Sequence, residues 1–203
     1  LRKVTMPGKM IFVSNRLPVS IEKKKGKLQY KPSPGGLATG LSSFYKKYES
    51  VWIGWCGVAS ETLGTGEREE MEKRLLSDHR SAPVFLSRSE MKTFYYGFCN
   101  KTVWPLFHYF PNFTIYDKTM WQSYRRVNER FCDIVMRHAG PRDTVWVHDY
   151  HLLLLPRLLR ERLPDVKIGF FLHIPFPSFE IFRLLPWRGE ILEGLLGSDL
   201  IGF

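Results

Sequence analysis

Three places in this 203-residue sequence put side chains capable of binding or acid–base chemistry directly after a short apolar run: Asn15-Arg16, Asp149-Tyr150-His151, and His173 with Pro175 and Pro177 behind it. Arg16 can clamp a phosphate through its planar guanidinium, or it can close an ion pair at the end of a sheet. Asp149 can accept hydrogen bonds from sugar hydroxyls or orient an attacking one, and it can equally cap the helix that follows. Gly35-Gly36 stands at a helix start, where bare amides and the positive end of the helix dipole suit a diphosphate, although a tight turn explains the pair as well. His148, Asp149, His151 and His173 lack the further ligands and spacing of a metal site, so no metal is expected. Tyr95, Tyr96, Trp104, His108 and Tyr109 are an aromatic set that could stack on sugar rings or fill a core. G-x-S-x-G is absent, and no Cys and His pairing suggests a covalent nucleophile.

The elements needed to gather these residues alternate between strand and helix. Met10–Ser14, Val51–Trp55, Val84–Leu86, Thr144–His148 and Val166–Leu172 read as buried strands, and Asp199–Phe203 opens another. Helical spacing follows Gly36 through Tyr48 and covers Glu67–Ser77, Met91–Phe98, Trp121–Val135, Leu152–Leu163, Ser178–Phe182 and Ile191–Leu196. Val19–Ile21 and Leu28–Tyr30 read as a hairpin projecting from the surface. The alternation predicts an α/β fold with a doubly wound, mostly parallel, Rossmann-like sheet over residues 1–203. Ligands of such sheets bind beyond the carboxyl ends of the strands, so the three polar positions are expected in one pocket.

Composition narrows the function classes. A chain with 44% apolar and 15% aromatic residues can bury one full core. Its net charge of +10 calls for anions, but the basic residues are scattered over Lys23–Lys27, Arg125-Arg126 and Arg157–Arg162, which argues against a nucleic-acid surface. No apolar run approaches the roughly 20 residues of a membrane span, and no leader pattern is visible at the start. Cys56, Cys99 and Cys132 are odd in number and far apart, which suits buried free thiols and a cytoplasmic location.

Together SNRLPV (Ser14–Val19), PGGLATGL (Pro34–Leu41), WIGWCG (Trp52–Gly57), YYGFCN (Tyr95–Asn100), WPLFHY (Trp104–Tyr109), HDYHLLLLP (His148–Pro156) and HIPFPSFEIFRLLP (His173–Pro186) resemble the trehalose-6-phosphate synthases in order and spacing over nearly the whole chain. The resemblance implies the amino-terminal half of a retaining GT-B glycosyltransferase, with UDP-glucose as donor, glucose-6-phosphate as acceptor and no cofactor. It implies that Arg16 and Tyr95 hold the acceptor phosphate, Trp104 lines the acceptor site and Asp149 binds acceptor hydroxyls. Gly35 and Gly36 would face the donor diphosphate, His173 and Ile174 would lie near the transferred glucose, and Asp149 and His173 would be the catalytic pair. The partner would be a carboxyl-terminal domain of the same parent chain, and homo-oligomerisation is open. Residues 1–203 alone are expected to bind acceptor weakly without transfer. The competing expectations are a non-catalytic sugar-phosphate sensor and a related synthase with another acceptor, such as glycerol-phosphate.

Overall fold

The computed structural model describes residues 8–24, 27–33, 36–41 and 48–203. Its centre is a six-stranded sheet built from β1 (Met10–Arg16), β4 (Ser50–Ala59), β5 (Ser81–Leu86), β6 (Thr144–His148), β7 (Lys167–Phe171) and β8 (Leu200–Gly202). The spatial order is β5-β4-β1-β6-β7-β8 and every neighbouring pair is parallel. Counting only the strands of this sheet, that is the 3-2-1-4-5-6 order of a doubly wound fold, whose switch point falls between β1 and β6. β1 is buried at every position except its last, Arg16, as a strand covered on both faces must be.

Helices cover the faces. After the short α1 (Gly36–Gly40) come α2 (Thr65–His79), which buries Met71 and Leu75, and the one-turn α3 (Arg88–Glu90). α3 runs without interruption into a π-helix at Met91–Val103 and then α4 (Trp104–Phe107). α5 (Lys118–His138) starts at Asp117, whose Oδ1 accepts from the Met120 amide at 2.8 Å, and lays Trp121, Tyr124, Val127, Phe131 and Val135 on the core. α6 (Leu155–Arg162), α7 (Phe179–Phe182) and α8 (Arg188–Leu195) complete the chain.

Several elements differ from expectation for physical reasons. The segment expected as one helix over Leu152–Leu163 is a 3-10 turn at Tyr150–Leu152 followed by α6, because Pro156 suits only the first turn of a helix. The hairpin of β2 (Val19–Lys24) and β3 (Lys27–Pro32) forms as expected but does not project: Val19 and Ile21 are buried, and β2 packs on β4. Ser178 occupies the N-cap of α7 without a side-chain capping bond. The helical pattern expected through Tyr48 is described only over Gly36–Gly40; Gly35 and residues 42–47 lie outside the described residues. All three cysteines are free and buried.

One glycine decides how β4 meets the end of β1. A Cβ on Gly54 would stand 2.7 Å from the Arg16 carbonyl carbon and 2.8 Å from the Leu17 amide. Trp55 accepts the Leu17 amide at 3.0 Å, and Ser14 Oγ accepts from Trp52 Nε1 at 2.8 Å while donating to the Arg16 carbonyl at 2.8 Å. The backbone that presents Arg16 is therefore fixed from two sides. Gly54→Ala is expected to destabilise the chain by about 1–3 kcal/mol, the usual cost of forcing a methyl into packed backbone, read as a lowered urea midpoint. An unchanged midpoint would mean that β4 does not press on Arg16.

Candidate functional site at the switch point

The residues after β1, β6 and β7 meet at one edge of the sheet. The register pairs Val13 with Val147 and His148 with Phe171, so Arg16, Asp149 and His173 leave their strands side by side. Arg16 is exposed, with its guanidinium 4.8 Å from the centre of the Trp55 ring and 5.8 Å from that of Tyr95. Among the described residues no carboxylate lies within ion-pair distance of it, so the alternative of a sheet-end ion pair falls away. Tyr95 stacks on His151 with ring centres 5.7 Å apart and planes 14° apart. His151 Nδ1 stands 3.8 Å from Asp149 Oδ2, and Asp149 Oδ1 accepts the His173 amide at 3.3 Å. A continuous line of contacts thus runs from Arg16 through Tyr95, His151 and Asp149 to His173.

Asp149 is strained. Its φ of 77° and ψ of 168° lie in a region where almost only glycine is comfortable, at a cost of about 1–3 kcal/mol. Its side chain makes no capping bond to the following turn, so the capping alternative also falls away. The surroundings hold the conformation: the Asp149 amide donates to the Phe171 carbonyl at 2.8 Å, and its carbonyl accepts the Leu152 amide at 3.1 Å. The loop beyond is gripped from α5. Tyr124, fully buried, donates its hydroxyl to the Tyr150 carbonyl and accepts the Leu153 amide, both at 2.9 Å. Asn128, one turn on and also fully buried, donates to the His151 carbonyl at 3.2 Å. These two supports escaped the sequence reading, although a Tyr and an Asn four apart on an apolar helix face are the signal of a buried polar pair.

Burial sets the charge state. It pushes the Asp149 carboxyl up, against the nearby Tyr150 and His173 amides, which pull it down. His151, desolvated and near Arg16, is pushed down to about 3, and His148, desolvated beside His173, likewise to about 3. Both are therefore neutral rings at pH 7, and the 3.8 Å approach of His151 to Asp149 is not an ion pair. His148 Nδ1 lies 3.2 Å from His173 Nε2, while its own Nε2 is buried without a partner. A bare acceptor is cheaper to bury unpaired than an N–H donor, so His148 carries its proton on Nδ1 and donates to His173.

The remaining expected residues lie around this line. Trp104 is exposed at the far end of the π-helix and stacks on His108 with centres 3.9 Å apart; none of the contacts above links it to Asp149. Tyr96 and Tyr109 are also exposed, so this aromatic set is not core. Ile174 is half-buried beside His173. Gly36 opens α1, and a Cβ there would meet nothing within 4 Å. Gly35 lies outside the described residues.

The neutral histidines carry a pH signature. An unfolded histidine titrates near about 6.5, whereas His148 and His151 hold out to about 3 when folded. Between those values the unfolded chain binds protons that the folded chain does not, so stability falls as pH drops below 6.5, by up to about 1.4 kcal/mol per pH unit per histidine. His148→Gln is expected to remove one share of that slope in urea titrations between pH 7 and pH 5. A slope identical to wild type would show that His148 takes its proton while folded.

Known proteins are similar to this chain over nearly its whole length. The chain is 49% identical over 197 residues to the UDP-forming α,α-trehalose-phosphate synthase A of Dictyostelium discoideum, which covers 97% of this chain and 26% of that one. The Burkholderia xenovorans α,α-trehalose-phosphate synthase in complex with glucose-6-phosphate superposes with a TM-score of 0.75 at 33% identity, over 97% of this chain and 40% of that one. An E. coli structure with UDP-2-fluoro glucose bound superposes with a TM-score of 0.76 at 33% identity, over 96% and 39%. This chain therefore spans between about a quarter and two fifths of these relatives. The family model of glycosyltransferase family 20 matches residues 8–203, and with that match and these identities the chain belongs to glycosyltransferase family 20.

Proposed function

We propose that this chain supplies the acceptor half of a retaining glucosyltransferase that makes trehalose-6-phosphate from UDP-glucose and glucose-6-phosphate. The observation that carries the reading is the line from Arg16 to Asp149: a guanidinium with no carboxylate partner among the described residues at one end, and at the other a carboxylate held in a strained backbone beside a neutral histidine. A hexose phosphate has the same polarity, with a dianion at one end and hydroxyls at the other. His151 Nδ1 is buried without a hydrogen-bond partner 3.8 Å from Asp149 Oδ2, a gap that one hydroxyl would close by bonding to both.

In this reading Arg16 and the Tyr95 hydroxyl hold the acceptor phosphate, Trp104 walls the sugar, and Asp149 fixes the acceptor hydroxyls. Asp149 and His173 act at the reacting end, with His173 and Ile174 against the transferred glucose. Gly35 and Gly36 lie toward the donor diphosphate. Transfer needs no protein nucleophile: the departing phosphate helps deprotonate the incoming hydroxyl on the same face, and the protein contributes positioning and charge stabilisation. The relatives' greater length accommodates a carboxyl-terminal domain that neutralises the donor phosphates, closing a GT-B cleft over this half. The parent works in the cytoplasm.

Two measurements test this. Glucose-6-phosphate titrated into the chain is expected to bind at least about tenfold more tightly than glucose, the worth of one charge-assisted contact, and Arg16→Ala to erase the difference; equal affinities for the two sugars would end the reading. Asp149→Gly separates strain from function. Releasing about 1–3 kcal/mol of strain outweighs the glycine entropy cost of about 0.5–1 kcal/mol, so its urea midpoint should match or exceed wild type while acceptor binding, and UDP release by the parent enzyme, are lost. A variant that retained binding would remove Asp149 from the site.

A further inference from the structure

We infer that the groove between α2 and α5, along the outer edge strand β5, is a second anion site shaped for a phosphorylated small molecule. The groove has a volume of about 650 Å3 and shares no residue with the line from Arg16 to His173. Arg68 enters it from α2, and Arg126, Arg130 and Arg137 enter from one stripe of α5. Phe85, near the end of β5, lines it from the sheet side, with the Arg68 guanidinium 5.9 Å from its ring centre. Its volume lies within the range of small-molecule pockets, and its lining is mostly charged.

The charges in the groove are unevenly matched. Glu90 is already taken by Arg130, with contacts of 2.7 Å to each guanidinium nitrogen, and Arg130 also donates to the Phe85 carbonyl at 2.9 Å. Asp133 is taken by Arg162, which does not line the groove. That leaves Arg68, Arg126 and Arg137 facing one carboxylate, Glu72. Among the described residues, Arg126 and Arg137 have neither a hydrogen bond nor an ion pair, and both are exposed. Arg68 donates one nitrogen to the Ser60 carbonyl at 2.6 Å, while its Nε–H is buried with no partner. An orphaned guanidinium N–H and two unpaired guanidinium groups line one groove, and phosphate oxygens match arginine forks in pairs. Arg130, held by Glu90 and by the backbone, is a fixed wall between the two free groups.

The probe for the test is pyrophosphate, titrated calorimetrically into the chain at constant ionic strength. Because Arg16 can also bind phosphate, the informative background is Arg16→Ala, which removes that contribution and makes the outcome independent of the acceptor reading. In that background pyrophosphate is expected to retain one site, and adding R126S with R137S to weaken it at least about tenfold through loss of two charge-assisted contacts. Both serines replace exposed side chains, so folding is preserved; a matching urea midpoint verifies this. R126K with R137K, which keeps charge but not the fork, should recover only part of the affinity. The inference is overturned if R16A alone abolishes binding, if the R126S and R137S changes leave affinity unchanged, or if these arginines bind single-stranded DNA while pyrophosphate does not bind.

Discussion

The backbone at Asp149 is the constraint from which the site follows. A β-carbon at φ 77° and ψ 168° is held there because the residues on both sides are fixed more firmly than one strained residue can resist. The amide is tied to β7, the carbonyl to the next turn, and the carboxylate to the His173 amide, two residues after β7. Beyond it, Tyr124 and Asn128 hold two successive carbonyls of the loop from inside the core. The bend directs the carboxylate along the strand ends instead of into the helix that follows, and so brings it toward His151.

Charge then does the rest. Among the described residues the line of contacts holds one cation, Arg16, and one carboxylate, Asp149, with the Tyr95 ring and a His151 ring that burial keeps neutral between them. Were His151 protonated, it would neutralise Asp149 and compete with the ligand at one end and repel Arg16 at the other. Holding it neutral keeps both ends available and costs stability only under acid conditions. The parallel sheet supplies the geometry: the switch point of its 3-2-1-4-5-6 order falls between β1 and β6, where the crevice of a doubly wound sheet lies.

The strands, their parallel order and the three polar strand ends were legible because each is a local signal: short β-branched runs, alternation with helices, and polarity appearing where a buried strand must end. The alternatives open for Arg16 and Asp149 were not resolvable locally. An ion pair for Arg16 depended on where every carboxylate in the chain came to lie, and capping by Asp149 on a dihedral angle that composition does not encode. Gly54 carried no local mark either, since its role is to admit the backbone of residues some 40 positions earlier. The hairpin was misjudged for the same reason: the alternation of β2 showed an apolar side, Val19 and Ile21, without saying that β4 would cover it.

The π-helix joins the core to the site. Its buried positions are Met91, Phe94, Gly97 to Cys99 and Thr102-Val103. Gly97 permits the helix to lie against Met120, whose side chain would meet a Cβ at 3.1 Å. Phe94 and Phe98 both pack on the Tyr124 ring, with centres 5.8 and 4.6 Å away, while Tyr95 between them faces His151 and Arg16. Tyr124 therefore serves two purposes with two parts of one side chain. Its ring seats the helix that presents Tyr95, and its hydroxyl holds the loop that presents Asp149. The two ends of that line of contacts are gauged against a single buried residue, so their separation is set by the core and not by the loops that carry them.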